Sequence, residues 1–183
     1  MIQDFMIDIL REHSIQLHFH LEYGQLGPNF YEMLRVYNEK KIPISISATL
    51  PDKQGYWINE RNARTFAKYT EDLIKQIHMA GCYIDGLSID MQSPLMHMQA
   101  IKNPKRFFQP YLAYIRMATV NVNTRRYREA VRDLSSIQRM LKSKKIESYA
   151  ILRRQVYYDV RFRTDIIQNA FETPVFSVPW DTV

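Results

Sequence analysis

The chain has 183 residues, a single cysteine, 46% apolar residues, 13% aromatics and a formal charge of +6. That is enough material for one ordinary domain with a substantial core, and it excludes overall disorder. The lone Cys82 also excludes an internal disulfide framework and a multi-cysteine zinc site, so folding does not depend on an oxidising compartment.

In chain order, residues 2–12 have helical spacing around Phe5 and Ile9, and SIQLHFHLEYG then switches to a period of two. After Gly24, Gly27 and Pro28, the set Phe30, Met33, Leu34 and Tyr37 predicts a short helix, and IPISISATLP predicts a second strand. The loop DKQGYWIN leads to Asn59, read as the N-cap of a helix that carries Ala63, Phe66, Leu73 and Ile77 on one face and stops at Gly81. The third strand lies in IDGLSIDMQSP, residues 84–94. Strand, helix, strand, helix, strand is the rhythm of right-handed parallel units in one sheet. From about 104 the chain reads as helical, near 104–119, 125–143 and 147–170, and PVFSVPWDTV reads as the start of a fourth strand. Nothing in the pattern divides the chain into two domains.

The basic pairs Arg125–Arg126, Lys144–Lys145 and Arg153–Arg154 fall among regularly spaced apolar residues, which predicts the solvated outer face of helices. No recognition motif accompanies them, so nucleic acid is not an expected partner. No apolar run approaches the roughly 20 residues that cross a bilayer. The opening MIQDFMIDILREHS places acids where a secretory leader carries basic residues. These features predict a soluble chain with no visible signal peptide or membrane span, and they assign no compartment.

The three strands each have one apolar face. Leu17, Phe19 and Leu21, then Ile44, Ile46 and Ala48, then Leu87, Ile89 and Met91 make the apolar sides. The opposite sides are His18, His20 and Glu22, then Ser45, Ser47 and Thr49, then Ser88, Asp90 and Gln92. A doubly wound sheet is dry on both faces and reads as near-continuous Val, Ile and Leu. Parallel strands with one polar face fit a barrel of the TIM type, whose inward residues approach a site at the C-terminal rim. The expected fold is therefore α/β, with βα units over 1–103 and a mostly helical extension over 104–183 that ends in a strand. Eight strands complete such a barrel. Fewer are visible, which predicts a piece of a longer barrel whose open strand edges favour self-association unless covered.

The span Asp85-Gly86-Leu87-Ser88-Ile89-Asp90-Met91-Gln92 resembles the D-G-x-D-x-D-x-E motif on the fourth barrel strand of glycoside hydrolase family 18, the chitinase-like enzymes. Ser45-Ile46-Ser47-Ala48 is similar to that family's S-x-G-G strand. The resemblance implies a sugar site in which the last Glu protonates the glycosidic oxygen and the preceding Asp orients the substrate's N-acetyl group. Gln92 stands at the Glu position, and an amide has no proton acidic enough for that task. Ser88 replaces the first inner acid. The expectation is a carbohydrate-binding rim with impaired family-type hydrolysis. Asp90 and Gln92 lie at its centre, His20, Tyr23, Ser47, Trp57 and Ser88 contact the substrate, and no cofactor is needed. Tyr23, Tyr56 and Trp57 lie in or beside loops after strands, where aromatic faces stack on sugar rings, and Trp180 is a similar candidate.

Two enzyme alternatives stand beside it. Glu22 and Asp90 at one rim form a two-carboxylate glycosidase pair. His18-Phe19-His20 resembles the H-x-H of amidohydrolase barrels, which would place zinc on His18 and His20, although His13, His78 and His97 fall in helices or a loop. A structural role for the basic helical half is a third class.

Overall fold

The computed structural model describes residues 4–22, 24, 26–94, 108, 112, 115, 116, 119 and 122–183. The expected helix at 104–119 lies mostly outside these residues. Within them, α1 (Asp4–Glu12), β1 (Leu17–Glu22), α2 (Pro28–Glu39), β2 (Ile44–Thr49), α3 (Ala63–Met79), β3 (Gly86–Asp90), α4 (Thr124–Ser143), β4 (Glu147–Ile151), α5 (Tyr157–Phe162) and α6 (Ile166–Phe171) follow in that order. The four strands form one sheet in the sequential order β1-β2-β3-β4, and every pairing is parallel. Sequential order without a reversal is what barrel-type βα units produce; a doubly wound sheet changes direction at a switch point.

Two periods in the sequence set the layers. Ile44, Ile46, Ala48, Leu87, Ile89 and Met91 are buried and belong to one core cluster. Onto them pack Phe66, Leu73 and Ile77 of α3, and Leu134, Ile137 and Leu141 of α4. These helix residues recur at three, four and seven positions, so each helix turns one continuous stripe to the sheet. Burying an aliphatic side chain of this size stabilises the fold by about 1.5–3 kcal/mol. Gly81, at φ +72°, ends α3 in the left-handed conformation that turns the chain towards β3.

Asp85 aligns the starts of three strands. Its Oδ2 accepts from Ile44 N–H at 2.8 Å, its N–H donates to the Ile44 carbonyl at 2.7 Å, and its carbonyl accepts from Glu147 N–H at 2.8 Å. At the next position, a Cβ on Gly86 would lie 2.6 Å from Cε2 of Tyr149 and 3.2 Å from Cβ of Ser45. The Asp-Gly pair therefore has a constructional use here: Asp85 fixes register, and Gly86 leaves room for the Tyr149 ring.

Four expectations are corrected. Residues 147–170 are not one helix: Glu147–Ile151 is a strand of the same sheet, followed by the short α5 and α6. The misleading residue is Ser148, fully buried on the helix-facing side beside Leu87 and held by Asp181, whose Oδ2 accepts from its N–H at 2.9 Å and its hydroxyl at 2.6 Å. The terminal PVFSVPWDTV is irregular, with a turn at Phe176 and Ser177 and a single parallel bridge between Tyr149 and Thr182; Pro174 and Pro179 have no N–H to give a ladder. Asn62, not Asn59, precedes α3, and buried Asn59 instead accepts from Arg61 N–H at 3.0 Å. Arg126 and Arg153 are partly buried and bonded to residues distant in the chain, whereas Arg125, Lys144, Lys145 and Arg154 are exposed. No helix among the described residues is long and apolar enough to cross a membrane.

Candidate functional site

Register places the polar side chains in rungs. His18, Ser45, Gly86 and Glu147 align, and one step up come His20, Ser47, Ser88 and Tyr149. Glu22 and Thr49 pair next, as do Asp90 and Ile151. All of these face away from the α3–α4 layer, because alternate residues on a strand share a side. Ser45, Ser47 and Ser88 are buried, His18 and His20 are exposed, and Glu22, Asp90 and Gln92 are half-buried.

The chemistry gathers at the C-terminal ends of β3 and β4. Gln92 donates from Nε2 to both carboxylate oxygens of Asp90, at 2.9 and 2.8 Å. The Oε1 of Gln92 accepts from Nη2 of Arg153 at 3.0 Å. That second contact fixes the amide's orientation, since its oxygen meets a guanidinium and its NH2 must face the acid. Backbone bonds hold the same place: Ile58 N–H donates to the Asp90 carbonyl and Gln92 N–H to the Ile58 carbonyl, both at 3.1 Å. Burial pushes the Asp90 carboxyl above its ordinary value, against the pull of the Gln92 hydrogen bond and the Arg153 and His20 charges.

The loop after β2 brings an aromatic edge to this face. Gly55 at φ +99° and Tyr56 at φ +54° turn the chain sharply, and the Tyr56 hydroxyl reaches Nε2 of His20 at 3.1 Å. A tyrosine in the left-handed region is strained, and such strain persists where surrounding structure holds it. Trp57 packs edge-on against Tyr56, with ring centroids 5.6 Å apart.

Of the sequence-predicted residues, His20, Ser47, Ser88, Asp90 and Gln92 share this face, with Trp57 in the adjoining loop. Glu22 lies at the end of β1, one pairing step beyond His20. Tyr23 lies outside the described residues. Trp180 is buried in the core cluster, not at the rim. His18 and His20 share a side, but Nδ1 of His18 is 2.7 Å from Ser45 Oγ and His20 engages Tyr56. No group of three or more His, Cys, Asp or Glu among the described residues could hold a metal ion. Sequence reasoning missed Arg153. The signal was the alternation Tyr149, Ile151, Arg153, visible only once 147–151 is read as a strand.

Fold and site together define an α/β protein of barrel-like βα units with a polar rim around Asp90. No protein-family profile matches the chain, and no curated protein matches it. Among solved structures the chain is similar to an alpha-N-acetylgalactosaminidase from Bifidobacterium bifidum in its ligand-free form. The TM-score is 0.42 and the identity 11%, over 81% of this chain and 29% of that one. That distant neighbour is a glycoside hydrolase, and this chain spans under a third of its length.

Proposed function

We propose that the rim at the C-terminal ends of β1 to β4 binds carbohydrate, with Asp90 as its central acceptor and without acid catalysis of the chitinase-like kind. The observation that carries this reading is the Asp90–Gln92 pair. At the position where the resembling family has its acid, Gln92 turns its NH2 to both oxygens of the Asp90 carboxylate. A carboxylate held in this way accepts hydrogen bonds from sugar hydroxyls, and Ser47, Ser88 and His20 offer further donors and acceptors on the same side. Tyr56 and Trp57 supply apolar ring faces beside them.

A glycan-binding screen with the wild-type chain and Asp90→Ala tests it. The wild type retains glycans, and the variant loses affinity by about tenfold or more, the value of a charge-assisted hydrogen bond. Absence of binding by both proteins would refute the reading.

One observation favours a second reading, a glycosidase using Glu22 and Asp90. Each lies two residues past the rung of His20, Ser47 and Ser88, on strands separated by β2. Two strand spacings put their backbones about 10 Å apart, which suits the wider carboxyl separation of inverting enzymes. Under this reading the wild type releases nitrophenol from an aryl glycoside and Glu22→Gln does not.

A further inference from the structure

Arg153 lies two residues past the end of β4, on the same alternation as Tyr149 and Ile151, and is half-buried. Among the described residues it makes one side-chain hydrogen bond, from Nη2 to the uncharged Oε1 of Gln92. Its Nε–H is buried without a hydrogen-bond partner, and among the described residues it forms no ion pair. A guanidinium taken out of water loses solvation, and this loss is offset only by paired charge or fuller hydrogen bonding. Arg153 has neither.

Gln92 accounts for the missing ion pair. The Asp90 carboxylate is the near anion, but the amide stands between, with its oxygen on Arg153 and its NH2 on Asp90. A direct Arg153–Asp90 contact would satisfy both groups internally. With the amide as spacer, the cation and the acceptor stay separate, and the remaining N–H donors of the guanidinium are left to an external group. The planar fork of arginine matches an oxyanion through two parallel N–H bonds.

We propose that the rim holds an oxyanion against Arg153, so that the ligand is an acidic sugar bearing a carboxylate, sulfate or phosphate group. Its hydroxyls meet Asp90 and its anionic group meets the guanidinium. The sugar half of this statement rests on the carbohydrate reading above; the oxyanion half rests on Arg153 alone.

Isothermal titration of the full chain separates the two. The probes are hexuronates, hexose 6-sulfates, hexose 6-phosphates and parent hexoses of the gluco, galacto and manno series, together with sodium acetate. The charged sugars of at least one series bind about tenfold or more tightly than their hexose, the worth of one or two charge-assisted bonds. Comparison of the three charged forms identifies the anion. Added salt reduces the advantage. Arg153→Gln removes it, and Arg153→Lys, a point charge without the fork, keeps part. The wild-type ratio and its salt dependence decide the matter whether or not either variant folds. Equal affinity for each hexose and its charged forms overturns the oxyanion and leaves the carbohydrate reading standing. Acetate binding with no sugar binding supports the oxyanion and overturns the sugar. Silence from every probe overturns both.

Discussion

Arg126 and Arg153 are both partly buried arginines, and they are served in opposite ways. Arg126, in the first turn of α4, has Nε 3.0 Å from Glu60 Oε2 and Nη2 2.5 Å from Glu172 Oε1. Glu172 also receives Nε and Nη2 of Arg61, each at 2.8 Å. Two acids and two arginines cancel, and together they join the loop before α3, the start of α4 and the left-handed residue after α6. Among the described residues, Arg153 has a single amide oxygen. Arg61 and Arg126 are met by carboxylates and have little left for a ligand, although Glu60 Oε1 in the same cluster is buried without a hydrogen-bond partner. Arg153, stopped short of Asp90 by a neutral spacer, keeps an unbonded Nε–H. Burial alone distinguishes a structural arginine from a binding one poorly; the charge left over after internal pairing distinguishes them better.

The largest expected effect tests this contrast directly. Glu172 is fully buried, and Glu172→Gln leaves Arg61 and Arg126 short of one charge. Breaking a buried pair from one side costs about 3–5 kcal/mol. The equivalent change at the rim, Arg153→Gln, removes an unpaired charge and should alter stability by less than about 1 kcal/mol. Urea midpoints of both variants measure the difference; similar losses would mean that Arg153 is as structural as Arg126.

The cluster should also respond to pH. Burial raises the Glu60 carboxyl from 4.5 to about 7, ahead of the lowering by Arg126 and Arg61 and the raising by Glu172. A raised folded-state value means that the fold holds this proton more tightly than the open chain does. Its contribution is complete below pH 4.5 and is lost as pH rises through about 7. Melting temperature should therefore fall across that window in the wild type and fall less in Glu60→Gln. Identical pH profiles would remove Glu60 as the titrating group.

A smaller effect belongs to Gly86. Gly86→Ala puts a methyl group 2.6 Å from the Tyr149 ring, which must swing away from its hydrogen bond to Glu147. Overpacking of this kind costs about 1–3 kcal/mol, and the half-exposed ring places the cost near the lower end. An unchanged urea midpoint would show that the Asp-Gly pair in β3 is not needed for construction.

What was legible followed from local environment. β1, β2 and β3 each have an apolar side in or against the core cluster and a polar side opposite, so their residues alternate in print as they do in space, and the i, i+2 relation of Asp90 and Gln92 was readable for that reason. β4 was hidden because buried Ser148 breaks its alternation, and the group that makes this burial tolerable, Asp181, is 33 residues away. Arg153 was lost along with β4. The reach of the Tyr56 hydroxyl to His20 depends on a loop with two successive positive φ values, which Gly55 hints at and Tyr56 does not.

The smallest expected effect separates a binding acid from a structural one. Burial raises the Asp90 carboxyl, so the folded chain is penalised whenever Asp90 is ionised, and that penalty grows as pH rises through its elevated value. Asp90→Asn removes the charge and keeps the shape, and one amide oxygen still accepts from Gln92 Nε2. Loss of a charge-assisted bond and relief of desolvation oppose each other, so stability at pH 7 should change by less than about 1 kcal/mol in either direction. Ligand affinity should fall far more, because an external donor loses the ionised acceptor without gaining any relief. If Asp90→Asn instead unfolds the protein as readily as Glu172→Gln, Asp90 belongs with the internally paired cluster and the rim has lost its central acceptor.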